Sequence, residues 1–248
     1  MNILKPKYEI LTDISEGGIE ELKHIEFIGR QCYKSEDRIT DDCESAKKFV
    51  KMLINNGHEA MIEHGPSLSV LFTVDRGVTH ETVRHRTCSF AQESTRYVNY
   101  ASGKYGSEIN VIDIEGGIKL DRKMRNLNSD VIVLILDEWL RAMEDAEYHY
   151  MRMIDLGATP QIARGVLPTS TKADIVITTN YREWRHIFNL RTPITAHPQI
   201  REIMIPLLAD LKTKIPVIFD DIDLDIEDLM RATDKEIYEF EMEQNLKR

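Results

Sequence analysis

The sequence predicts an α+β fold, a single domain over residues 1–248 with a mixed sheet and flanking helices. Stretches of strand and helix period interleave without a regular βαβ rhythm, which disfavours a doubly wound sheet. The 12 glycines form neither GxGxxG nor GxxxxGK[ST], so neither a Rossmann fingerprint nor a P-loop is present. No internal repeat, low-complexity tract or Pro/Gly/Ser linker divides the chain.

Taken in order, residues 44–56 predict a helix with Phe49, Leu53 and Ile54 on one face and Gly57 as its stop. Ser67 to Val74 alternates, which puts Leu68, Val70, Phe72 and Val74 on one side of a strand. Residues 77–87 suit a helix and 88–97 an ordered loop. Glycines at 103, 106, 116 and 117 bracket a loop-rich stretch with a short strand around Ile109 to Ile114. The strongest helix is 130–155, where Ile132, Ile135, Leu136, Trp139, Met143, Ala146 and Tyr150 recur at helical spacing. Thr159-Pro160 has the chemistry of a helix start and predicts a short helix carrying Ile162, Ala163 and Arg164. A buried strand at Ala173 to Thr178 follows, then helices at 181–190 and 198–212 and a polar helix at 225–246.

Composition narrows the function. With 42 acidic and 32 basic residues the net charge is −10, which opposes binding nucleic acid through the overall field. Six acidic residues crowd into 220–228, so a local basic pocket for a phosphate is still compatible with the chain. The apolar runs Val131 to Leu136 and Ile203 to Ala209 are far shorter than the ~20 residues that span a bilayer. The start, MNILKPKYEILTD, lacks the apolar core of a signal peptide. Cys32, Cys43 and Cys88 are too few and too scattered for a disulfide framework or a CxxC site. These features predict a soluble, reduced, cytoplasmic protein.

Several motifs fail on inspection. Asp221, Asp223 and Asp225 imitate a calcium loop, but Ile226 stands where glycine is required and Ala232 where the bidentate glutamate belongs, leaving a solvated acidic face. His58-Glu59 and Glu63-His64 are close together without HExxH spacing, so no metal is expected.

Residues 84–97 carry the chemistry: Arg-His-Arg-Thr-Cys-Ser-Phe-Ala-Gln-Glu-Ser-Thr-Arg-Tyr. On a continuous helix Arg84 and Arg86 would point about 200° apart, so they serve one ligand only if the helix ends there. Arginines beside the hydroxyls and amide of Ser89, Gln92, Ser94 and Thr95 suit a phosphate, through forked charge-assisted hydrogen bonds.

RHR, seven residues, then Ser94 with Arg96 and Tyr97 resembles the signature of flavin-dependent thymidylate synthases. The likeness extends to Gly57-His58-Glu59 through Glu63-His64 and to Arg30 to Tyr33. It continues in Ala163-Arg164 through Leu167-Pro168, in Asn180, and in Asn189-Leu190-Arg191. It spans about residues 28–205, with 103–158 adding nothing. The resemblance implies methylation of dUMP at C5 to give dTMP, with methylenetetrahydrofolate as carbon donor, FAD as hydride carrier and NADPH as reductant. It also implies a homotetramer whose FAD and dUMP sites lie where subunits meet, while the net charge and the short apolar runs predict neither nucleic acid nor membrane as a partner.

Residue by residue, the resemblance implies that Arg84, His85 and Arg86 contact FAD, Arg84 also reaching the nucleotide. Gln92, Glu93, Ser94, Thr95 and Arg96 wrap dUMP, Ser94 and Arg96 taking its phosphate with Arg164 as a second cation. Asn180, Arg182 and His186 meet FAD, and His58 lies by the flavin ring. The same carry-over assigns Ala60, Gln92 and Tyr181 to the cofactor and Glu81, Thr82 and Val83 to the nucleotide. Arg191 matches the catalytic arginine that favours the N3-deprotonated uracil, because a fixed guanidinium stabilises an anion whose charge delocalises to C5.

The chain departs from the family pattern in places. Glu81 stands where glutamine is common, and a carboxylate beside a phosphate costs affinity unless Arg84 or His80 offsets it. Ala60 replaces a hydroxyl, Ala91-Gln92 replaces Asn-Glu, His186 replaces an asparagine of some members, and Thr195 replaces a histidine that His197 lies near. Cys88 tempts a thiol mechanism, but it sits at a position the family leaves variable. Two other readings compete: a nucleotide-binding module without catalysis, and an RNA-binding protein using the arginines of 84–96 near Tyr97 and Tyr100.

Overall fold

The computed structural model describes residues 1–101 and 108–233. Its elements are β1 (Asn2–Leu4), β2 (Lys7–Ile10), α1 (Ile19–Tyr33), α2 (Glu44–Asn55), β3 (Leu68–Asp75), α3 (Arg76–Thr82), β4 (Ser89–Gln92) and β5 (Asn110–Ile112). They continue with α4 (Glu115–Leu120), α5 (Ser129–Asp155), α6 (Pro160–Ala163), β6 (Lys172–Thr179), α7 (Tyr181–Arg191), α8 (Pro198–Lys214) and α9 (Ile226–Thr233). The expected α+β class is found, but parallel and antiparallel pairings are segregated. One sheet, ordered β2-β3-β6-β4, is antiparallel throughout, and β1 pairs with β5 in a separate parallel ladder.

The period-2 pattern sets the sheet's core face. Val70 lies opposite Ile177 and Phe72 opposite Ile175, and with Leu68 and Val74 these side chains are almost wholly buried. Leu22 and Ile25 of α1, Val50 and Leu53 of α2, Trp184 and Phe188 of α7, and Leu207, Leu208 and Leu211 of α8 join them in one cluster. Each such side chain contributes about 1.5–3 kcal/mol by leaving water. Trp184 stacks on Phe188 at 5.7 Å, and its indole N–H donates to the Leu68 carbonyl at 3.0 Å. A second cluster, with Val98, Tyr100, Val111, Met143, Tyr150 and Ala163, underlies α5. The other sheet face carries Ser69, Leu71, Asp174, Val176 and Thr178, all half-buried.

Several expectations are corrected. Residues 89–92 form strand β4 rather than loop, because Phe90 packs on the core while Ser89 and Ala91 face outward. The helix expected over 77–87 stops at Thr82, whose hydroxyl bonds the Thr79 carbonyl. Gly116 and Gly117 lie within helix α4, not in a loop. A Cβ on Gly116 would collide with a Glu202 carboxylate oxygen of α8, so glycine here serves close helix packing. The α1 helix and strands β1 and β2 lie outside the elements read from sequence.

Of the acidic segment expected to be a solvated face, Asp221 pairs with Arg185 and Asp228 is buried against Arg201. Of the expected helix at 225–246, residues 226–233 form α9, and the remainder lies outside the described residues, as do Gly103 and Gly106. Among the described residues no helix is long and apolar enough to cross a membrane.

Candidate active site

The register of β4 on β6 builds the site. Ser89 lies opposite Thr178, so the turn preceding β4 falls beside the end of β6 and the start of α7. Thr179 Oγ1 donates to the Thr87 carbonyl at 3.5 Å and ties the two segments. Because α3 ends at Thr82, Arg84, His85 and Arg86 leave the helix in a tight turn. His85 points inward and is 6% exposed, while Arg84 and Arg86 are exposed. Among the described residues neither arginine has a hydrogen-bond or ion-pair partner.

Arg191, at the end of α7, meets this turn. Its Nε donates to His85 Nε2 at 3.1 Å, one Nη donates to the Glu81 carbonyl at 2.9 Å, and the other pairs with the Glu81 carboxylate. His85 Nδ1 faces Glu183 Oε1 at 3.4 Å, and its ring lies edge-on to His186 at 5.8 Å. Burial and the Arg191 charge hold the His85 imidazole below its ordinary pKa, opposed by Glu183, so it is neutral at neutral pH. His85, Glu183 and His186 present ligand atoms within 4.8 Å of one another, yet the adjacent guanidinium opposes a cation there.

Alongside runs a pocket of about 480 Å³, lined by residues from the turn at Glu59–His64 and by one face of α7. Arg182, His186 and Asn189 share that face by helical spacing. The Asn180 side chain caps α7 by accepting from the Glu183 N–H at 2.9 Å. Arg185 is buried and forks onto Asp221 at 2.6 and 2.8 Å while reaching Glu59 at 3.1 Å. Arg182 pairs with Glu63.

The phosphate candidates form a second group. Ser94 Oγ accepts from the Arg96 N–H at 3.3 Å, Arg96 lies over the Tyr97 ring at 5.0 Å, and Arg164 reaches the Thr95 hydroxyl at 3.5 Å. This group lies off the far end of β4 from the Arg84–Arg86 turn, about 10 Å of strand away.

Other candidates have their side chains committed elsewhere. Thr82 and Tyr181 are buried, Tyr181 among core side chains with Phe219 at 6.2 Å. Gln92 donates to Thr79 Oγ1 at 3.1 Å, and Glu93 binds Lys172 at 2.9 Å. His58 is exposed and bonded to the Tyr33 hydroxyl at 2.9 Å; Ala60 and Val83 are exposed. Burial pushes the Cys88 thiol up to about 11, so it stays protonated and unreactive at neutral pH. Glu59, Glu183, Arg185 and Asn189 were not singled out from sequence as site residues. The helical period of α7 groups Arg185 and Asn189 with Arg182, but the partners of Glu59 and Glu183 are non-local.

A family model described as thymidylate synthase complementing protein matches residues 19–217. A flavin-dependent thymidylate synthase of Corynebacterium aurimucosum is 32% identical over 213 residues, 84% of this chain and 83% of that protein. Another, of Corynebacterium glutamicum, is 31% identical over 86% of this chain and 83% of its own length. Among solved structures, the UMP/dUMP methylase PolB of Streptomyces cacaoi bound with 5-Br dUMP shares the fold, with a TM-score of 0.70 and 24% identity. That match covers 89% of this chain and 96% of the other. The match over residues 19–217 takes in both the Arg84–Arg86 turn and Arg191, and the chain belongs to the flavin-dependent thymidylate synthase family.

Proposed function

We propose that the protein methylates dUMP at C5 to dTMP, taking the carbon from 5,10-methylenetetrahydrofolate with FAD as hydride carrier and NADPH as reductant. The observation that carries this reading is that Arg191 is held by Glu81 and by His85, in the turn whose Arg84 and Arg86 are unpartnered among the described residues and whose Thr87 lines the α7 pocket.

The residues present fit a flavin dinucleotide. Arg84 and Arg86 offer guanidinium forks to a pyrophosphate, and Arg182, His186 and Asn189 offer polar contacts along α7. When bound, FAD supplies the hydride that turns the transferred carbon into a methyl group. Arg191 stabilises the N3 anion of uracil and so raises electron density at C5. Ser94, Arg96 and Arg164 hold the nucleotide phosphate, the serine as a hydrogen-bond donor. A pocket of about 480 Å³ takes only part of a dinucleotide, and in the homotetramer that belongs to this reading neighbouring subunits complete each site.

The test is product formation: the full chain supplied with FAD, NADPH, methylenetetrahydrofolate and dUMP forms dTMP, detected by chromatography. Tight dUMP binding with no dTMP would instead identify a nucleotide-binding module.

A further inference from the structure

We propose that Glu183 is a positioning residue that fixes the Arg191 guanidinium by selecting the tautomer of His85, an inference that rests on the reading of Arg191 just given. The logic is one of donors and acceptors. The Arg191 Nε–H can only donate, so His85 Nε2, 3.1 Å away, must present its lone pair. A neutral imidazole then carries its proton on Nδ1, which faces Glu183 Oε1 at 3.4 Å, and a carboxylate can only accept.

Glu183 is placed for this by the helix start. Asn180 caps α7, and at the third helical position a glutamate ordinarily turns back to the cap's own N–H. Among the described residues no such bond forms, and the carboxylate faces His85 instead. Beyond Arg191 the Glu81 carboxylate and carbonyl close the chain, so the guanidinium is gripped from both α3 and the Arg84–Arg86 turn.

Without Glu183 the other tautomer of His85 becomes accessible, and its Nε2–H meets the Arg191 Nε–H donor to donor. Protonation of His85 has the same effect, which ties the network to pH. The titratable and charged groups around His85 are Glu183, His186 and Arg191 on α7, Arg84, Arg86 and Cys88 in its own turn, and Glu81 of α3 through Arg191. Glu183 favours the imidazolium, whereas burial and Arg191 disfavour it. Glu183→Gln retains an oxygen acceptor but removes the anion, so it moves the acid limb of activity to lower pH.

The test uses the FAD-loaded full chain, with dTMP formation followed against pH and histidine-labelled protein read by ¹⁵N NMR. Glu183→Ala should lower kcat about tenfold with the KM for dUMP and the flavin content little changed. Glu183→Gln should keep most of kcat at neutral pH and shift the acid limb down by about half a pH unit. The imidazole of His85 should be protonated at Nδ1 in the wild type and in Glu183→Gln, and should become a mixture in Glu183→Ala. Wild-type kcat in Glu183→Ala overturns the proposal. So does an unshifted acid limb in Glu183→Gln together with an Nδ1-protonated His85 in Glu183→Ala, which would mark a merely structural role. If the wild-type protein forms no dTMP, the reading of Arg191 fails and the nitrogen spectrum still decides the tautomer. A wild-type His85 protonated at Nε2 then refutes the positioning role.

Discussion

Arg191 is held at once by a carboxylate, a carbonyl and an imidazole, so its guanidinium enters any complex already oriented. Preorganised charge of this kind acts where charge develops, and removing one such group costs about 10²–10³ in rate. Arg191→Ala should therefore cut dTMP formation by about that factor while FAD remains bound, read as turnover beside the visible spectrum. Near-normal turnover would remove Arg191 from the chemistry. At this scale the linear sequence revealed residue types but not their partners. The resemblance pointed to His85 and Arg191, which the fold brings into contact. It could not show that Glu81, expected near dUMP, pairs with Arg191, nor that Glu183 faces His85, because these contacts join α3, a turn and α7. Tyr181 illustrates the converse: a site candidate by position in the motif, it is drawn into the core by its own helical phase.

Elements with strong periodicity were legible. The alternation of Leu68, Val70, Phe72 and Val74 and the long α5 repeat both correspond to elements of the fold. Short or polar elements were not. Strand β4 has four residues and is identified by its pairing with β6, while α4 hides behind two glycines whose purpose is contact with α8. The acidic run misled for a related reason. Asp228 looks solvated in sequence, yet it is buried where α9 meets α8, against Arg201 and with Arg231 at 2.8 Å. Arg201 is itself buried and also donates to the Thr192 and Leu120 carbonyls at 3.0 and 2.9 Å. Breaking such a pair strands a buried charge and costs about 3–5 kcal/mol. Asp228→Ala should lower the melting temperature by about 10 °C, and an unchanged transition would show that α9 contributes nothing to stability.

For the molecule as a whole, stability and pH are linked through a carboxylate between α4 and α8. Burial, reinforced by Asp113, pushes Glu202 up to about 8, and among the described residues one of its oxygens has no hydrogen-bond partner. Its folded pKa lies above the unfolded value of about 4.3, so the native state binds more protons in between. This contribution is complete at low pH and is lost as pH rises toward about 8. Glu202→Gln should melt several degrees higher than wild type at pH 8 and converge with it near pH 5. The same slope of melting temperature against pH in both proteins would refute this.

The core and the α+β class follow from pattern, but the candidate site does not, because its two groups of residues sit at either end of β4 and the pocket along α7 is open. The central claim is that this open site couples a flavin to a nucleotide. The most direct measurement is the visible spectrum of the FAD-loaded protein under anaerobic conditions, on adding NADPH with and without dUMP. Bleaching of the flavin that responds to dUMP is the expected result. Failure to bind FAD, or bleaching indifferent to dUMP, would contradict the account.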